Sequence, residues 1–102
     1  MFTTIPIWEV DHYIDDGYSI ALIDLRDRRS FAMGHIKGAV NFPFEERENW
    51  YCKLPRDRIL IFYCSRGGQS MQICRDLEPL GYHVINVANG MAYYTGKYLV
   101  RG

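Results

Sequence analysis

A chain of 102 residues, 48% of them hydrophobic, has material for one ordinary core, and a single domain over residues 1–102 is expected. Its 12 Lys+Arg against 12 Asp+Glu give a formal net charge of zero. That balance argues against a nucleic acid or a membrane surface held by bulk charge, and leaves small anions and proteins as partners.

No apolar run approaches the ~18 residues of a membrane span. The opening Met1-Phe2-Thr3-Thr4-Ile5-Pro6 has no secretory-signal pattern. The three cysteines, Cys52, Cys64 and Cys74, match no metal-binding spacing. A reducing cytoplasm is the expected compartment, with no metal or cofactor.

In chain order, Ile7, Val10 and Ile14 recur at i, i+3 and i+7 with Trp8 beside them. The spacing predicts one amphipathic helix within 3–16, entered through Pro6 and closed by Gly17, with a short edge strand before it. Residues 20–25, Ile-Ala-Leu-Ile-Asp-Leu, read as a strand buried on both faces, with Asp24 and Arg26 at its end. Residues 28–33 suit one or two helical turns, and 39–43 a brief strand that Pro43 stops. From Phe44 to Pro55 no period holds, which predicts a loop with at most a helical turn. Trp50 and Tyr51 are its candidate exposed contacts for a partner.

Ile59-Leu60-Ile61-Phe62-Tyr63 is a second doubly buried strand. Cys64 and the loop Ser65-Arg66-Gly67-Gly68-Gln69-Ser70 follow, and Ile73, Leu77 and Leu80 then mark a helix that ends at Gly81. Residues 84–87 form the next strand, Asn89-Gly90 a turn, and Met91 to Tyr94 the start of a short last helix. Strands alternating with helices predict an α/β fold with a central parallel sheet flanked by helices on both faces.

In open sheets of this kind ligands bind at the carboxyl ends of the strands, where Cys64 falls. Residues 65–70 include no proline, so each keeps its N–H, and Gly67 and Gly68 can take the positive φ that turns amides inward. With a helix N-terminus behind it, such a loop suits an anion, and the nearest is the sulfur of Cys64. Cys64 is therefore the expected nucleophile, held as thiolate. Cys74, on the inner face of the following helix, reads as a buried inert thiol, and nothing marks Cys52 as reactive. Asp24 and Arg26 are expected to support the loop from the neighbouring strand.

Three stretches together resemble the rhodanese (sulfurtransferase) domains, over roughly Ile5 to Tyr94. They are Ile23-Asp24-Leu25-Arg26 with Phe31 and residues 34–43, then Tyr63 to Ser70, then Leu80-Gly81-Tyr82 through Val84 and Val87 to Asn89-Gly90. The resemblance implies an α/β domain in which Cys64 accepts sulfane sulfur from a small anionic donor such as thiosulfate. It further implies transfer of that sulfur to cyanide, a thiol or a protein acceptor. By position Ser65, Arg66, Gly67, Gly68 and Gln69 form the substrate cradle, with Ser70 starting the helix. Gln69 stands where the family often has a basic or small residue, which bears on the donor. Transfer of this kind removes no proton from carbon, so His35 is read as structural.

Two other readings follow from the same residues. One is a persulfide carrier or interaction module with little turnover. The other is a Cys-x5-Arg phosphatase or arsenate reductase, which would need an arginine at position 70, where this chain has serine.

Overall fold

The computed structural model describes residues 1–102. In chain order it contains β1 (Thr3–Ile5), α1 (Val10–Asp15), β2 (Ile20–Asp24), α2 (Arg28–Met33), β3 (His35–Ile36), β4 (Val40–Asn41) and α3 (Arg47–Trp50). β5 (Ile59–Tyr63), α4 (Gly68–Leu77), β6 (Val84–Val87) and β7 (Leu99–Val100) complete it. Four of the five residues of β5 are buried, as a strand covered on both faces requires, and β5 takes the middle of a five-stranded sheet ordered β1-β6-β5-β2-β4. All four pairings are parallel.

The alternation of β5 divides the core. Leu60 and Phe62 pack with Ile73, Cys74 and Leu77 of α4 and with Trp50 and Leu54 on one side of the sheet. Ile61 and Tyr63 pack with Ile7 and Val10 at α1 and with Ile36 on the other. Helices therefore cover both faces, and each fully buried Leu, Ile or Phe contributes about 1.5–3 kcal/mol. The carboxyl ends of β2, β5 and β6 share one sheet edge, which places Cys64 between residues 25–26 and Ala88.

Several elements differ from the reading of the sequence. The helix at 7–16 is a 3₁₀ turn over Ile7–Glu9 running into α1, and Trp8 is exposed. Residues 44–53 are helical almost throughout, as a 3₁₀ turn, α3 and a second 3₁₀ turn. Trp50 is 4% exposed, its indole N–H donating to Pro43 O at 2.8 Å, so it is core and not the exposed partner contact expected of it. Met91–Tyr93 is a single 3₁₀ turn, after which the chain extends into β7 and pairs antiparallel with β3. This strap is tied to α1: Tyr94 Oη donates to Asp11 Oδ1 at 2.7 Å and the Tyr98 hydroxyl to Asp15.

At the end of β2, Asp24 is fully buried and accepts from Arg26 N, Nε and Nη2 at 2.9, 3.0 and 2.7 Å. Arg26 Nη2 also donates to Gly34 O at 2.6 Å. Removing one partner of a buried pair leaves the other charged and desolvated. Asp24→Ala is therefore expected to lose about 3 kcal/mol of stability, read as a lower urea midpoint at unchanged slope.

Candidate active site

Cys64 follows Tyr63 directly, and strand alternation turns it to the same side as Leu60 and Phe62, facing α4. It is 2% exposed, so its sulfur lies beneath the loop and not on the surface. Gly67 N–H donates to Cys64 Sγ at 3.1 Å. No group of the chain accepts the amides of Ser65, Arg66, Gly68, Gln69 or Ser70, which leaves a row of free donors at the N-terminus of α4. Of the amides read as turning toward the sulfur, the one that touches it is Gly67's.

The two glycines differ. Gly67 has φ +102° and lies so close to the segment after β6 that an added Cβ would sit 1.8 Å from Ala88 O. Gly68 has an ordinary φ and open space where its Cβ would be, and it is the first residue of α4. The helix thus begins two residues before Ser70, and Ser70 is fully buried inside its first turn. Ser70 Oγ stands 3.7 Å from Cys64 Sγ and within 2.7 Å of Asn86 Oδ1, and it also reaches Gly67 O and Val87 O at 3.1 Å. The hydroxyl locks the loop to β6.

The turn after β6 holds the loop from below. Met91 N donates to Cys64 O at 2.8 Å and Ala92 N to Ser65 O at 3.0 Å. A Cβ on Gly90 would sit 2.1 Å from Cys64 O. The sequence marks Asn89-Gly90 as a turn, but its part in the site follows only from β6 being the neighbour of β5. Tyr93, on the same turn, accepts from Arg66 Nη1 at 3.4 Å, with both side chains exposed.

Asp24 and Arg26 stand apart from this arrangement. Their side-chain hydrogen bonds join them to each other and Arg26 to Gly34 O, and none runs to residues 64–70, because the Arg26 guanidinium turns toward the end of α2. They brace the end of β2, not the loop itself. Arg26 does line a cavity of about 290 Å³ that the loop borders through Ser65 and Gln69. Tyr63 Oη accepts from Ile36 N, and burial, with Asp24 beside it, raises that phenol above its ordinary range. His35 Nδ1 lies 2.8 Å from Phe31 O and the ring stacks on Phe31, a structural arrangement.

Cys74 is buried, and burial, with Glu78 nearby, pushes its thiol from an ordinary 9.0 up to about 12. An unfolded chain sheds that proton near 9 while the folded chain keeps it to about 12. Stability should therefore fall as pH rises through that window. Urea midpoints measured across it should fall less steeply for Cys74→Ala than for wild type, although the variant starts less stable. In native protein at neutral pH, iodoacetamide should label exposed Cys52 and leave Cys74 unmodified in a peptide map.

A family model described as a rhodanese-like domain matches residues 9–97. The chain is 30% identical over 84 residues to YtwF of Bacillus subtilis, named as a candidate sulfurtransferase, a match covering 82% of each protein. It is 31% identical over 85 residues to YrkF of the same organism, named as a candidate sulfur carrier, covering 82% of this chain but 46% of that one. The crystal structure of a rhodanese-like domain protein from Staphylococcus aureus shares its fold, with a TM-score of 0.87 over 99% of both chains at 22% identity. No helix here is long and apolar enough to cross a membrane. These relatives support a rhodanese-type sulfur-transfer role. With the cysteine, its glycine-bearing loop and the parallel sheet beneath them all in place, the chain belongs to the rhodanese-like domain family.

Proposed function

We propose that the chain moves sulfane sulfur through a persulfide on Cys64, taking it from thiosulfate or a similar anionic donor and passing it to cyanide, a thiol or a protein. The observation that carries this reading is one amide on the sulfur with a run of unpartnered amides in the loop beside it. Gly67 N–H already touches Sγ, and the amides of Ser65, Arg66, Gly68, Gln69 and Ser70 have no partner of their own. Such a group is short of one anionic atom, and a terminal sulfur on Sγ is that atom. The buried position of Sγ restricts the donor to a small molecule.

The Cys64 thiolate attacks the outer sulfur of thiosulfate. A bond forms between Sγ and that sulfur, the bond between the two sulfurs of thiosulfate breaks, and sulfite leaves with the electron pair. The acceptor then attacks the terminal sulfur of the persulfide, the new S–S bond breaks, and Cys64 departs as thiolate. No proton leaves carbon, which suits a site that uses no histidine base, and His35 is occupied with Phe31 O. Arg66, exposed at the tip of the loop, attracts the donor anion, and Gln69 and Ser65 form the wall beside it.

A phosphatase of the Cys-x5-Arg kind has no support here, because residue 70 is a buried serine bonded to Asn86. Thiosulfate with cyanide should therefore give thiocyanate and sulfite catalytically. Hydrolysis of an aryl phosphate with no thiocyanate would reject the reading. A carrier function, which the name of YrkF favours, would show as one sulfur loaded per chain with negligible turnover.

A further inference from the structure

The geometry points to Asn86 as a positioning residue that slows the departure of sulfur from Cys64, by drawing the Ser70 hydroxyl proton away from Sγ. This rests on the sulfur-transfer reading above and adds what governs its second step. The three side chains meet beneath the loop, Ser70 and Asn86 fully buried and Cys64 2% exposed.

Ser70 Oγ carries one hydrogen and has four neighbours that could take it. Asn86 Oδ1 stands at 2.7 Å, Gly67 O and Val87 O at 3.1 Å, and Cys64 Sγ at 3.7 Å. The shortest contact, to Asn86, takes the proton. Gly67 O already accepts Met71 N–H at 3.3 Å. Asn86 Oδ1 accepts from no other group, and its own Nδ2 faces Thr4 Oγ1 at 3.4 Å. Turning the hydroxyl to the sulfur would leave a fully buried carbonyl unmet, which folded chains avoid. Toward Cys64, Ser70 therefore presents a lone pair. It can accept from a thiol, and it gives nothing to a sulfur that carries no hydrogen.

The Sγ of a persulfide is such a sulfur. When cyanide attacks the terminal sulfur, a carbon–sulfur bond forms, the bond to Sγ breaks, and thiocyanate leaves. The electron pair of the broken bond stays on Cys64, which becomes thiolate. A donor on Sγ stabilises that charge, and a better stabilised thiolate leaves faster. Gly67 N–H is one donor in place. Ser70 is the second group in reach, and Asn86 holds its proton elsewhere. The loaded chain thus keeps its sulfur longer than the groups around Sγ would otherwise allow, which suits delivery to a partner.

The test loads the purified chain with thiosulfate, removes excess donor, adds cyanide and follows discharge by intact mass. The rate constant is read on the loaded fraction alone, so a partial loss of fold does not enter it. Asn86→Leu should discharge about fivefold faster than wild type. The gain should vanish when Ser70→Ala/Asn86→Leu is compared with Ser70→Ala, because it needs the hydroxyl. A wild-type rate in Asn86→Leu, or the same gain without the hydroxyl, overturns the inference while leaving sulfur transfer standing. Should Asn86→Leu fail to fold, Ser70→Ala decides alone. Discharge within about twofold of wild type fits a hydroxyl turned from the sulfur, and a slower one overturns it. If wild type takes up no sulfur from thiosulfate, the sulfur-transfer reading fails and the inference falls with it.

Discussion

Cys64→Ser should lower thiosulfate:cyanide turnover by on the order of 10³-fold or more while the chain stays folded. The serine hydroxyl is un-ionised at neutral pH and cannot hold a sulfane sulfur, whereas the groups around the position suit an oxygen well. Gly67 N–H can donate to it, and Ser70 Oγ lies beside it. The cost to stability should therefore stay within about 1–2 kcal/mol, so a near-native thermal transition with lost turnover identifies the chemistry as the casualty. Cys74→Ser supplies the contrast. Its thiol, held protonated up to about 12, takes no part, and turnover should persist in whatever fraction remains folded.

Gly67→Ala has the second largest expected effect, and Gly68→Ala should do almost nothing. At φ +102° an L-residue costs about 1–2 kcal/mol, and the new methyl would lie 1.8 Å from a backbone oxygen that no rotamer change can move. The loop must lift off the turn after β6, which breaks the Gly67 N–H contact to sulfur and strains the Met91 N to Cys64 O bond. A total loss of about 2–4 kcal/mol is expected, with turnover of the folded fraction down on the order of 10²-fold, as for a displacement of about 1 Å. Gly68, with open space and an ordinary φ at the first helical position, accepts alanine neutrally or with a gain of up to about 1 kcal/mol. Urea midpoints and turnover of the two variants, side by side, decide the matter. Equal effects would mean that the close approach to Ala88 has no role.

These two glycines also show how far the chain could be read before the structure. A Cys followed by a proline-free, glycine-bearing loop between a buried strand and a helix is local information, so the strand–loop–helix unit was legible, with Gly67 N–H as the one amide found on the sulfur. Which glycine carries the strain was not, because the clash is with Ala88, twenty-one positions away and brought close only by β6 pairing with β5. The apolar runs at 20–25, 59–63 and 84–87 announced their strands because both faces are buried. β7 gave no such signal: it is two residues long, half-exposed, and made by pairing with His35–Ile36. Trp50 was misread for a related reason. Its segment packs as three short helical pieces with no shared period, and burial there comes from stacking on Phe42 and Phe62. Asp24 and Arg26 were expected to support the loop, and they pair with each other instead, since the guanidinium finds Gly34 O, which no spacing rule connects to it.

We propose that the unpartnered amides of the loop, with Gly67 N–H on Cys64 Sγ, hold one added sulfur. Intact mass of the purified chain after brief treatment with thiosulfate, with and without a following thiol, measures that most directly. Wild type should gain the mass of a single sulfur atom and lose it on adding the thiol, while Cys64→Ser should gain nothing. An unchanged mass for wild type, or the same gain on Cys64→Ser, would contradict it.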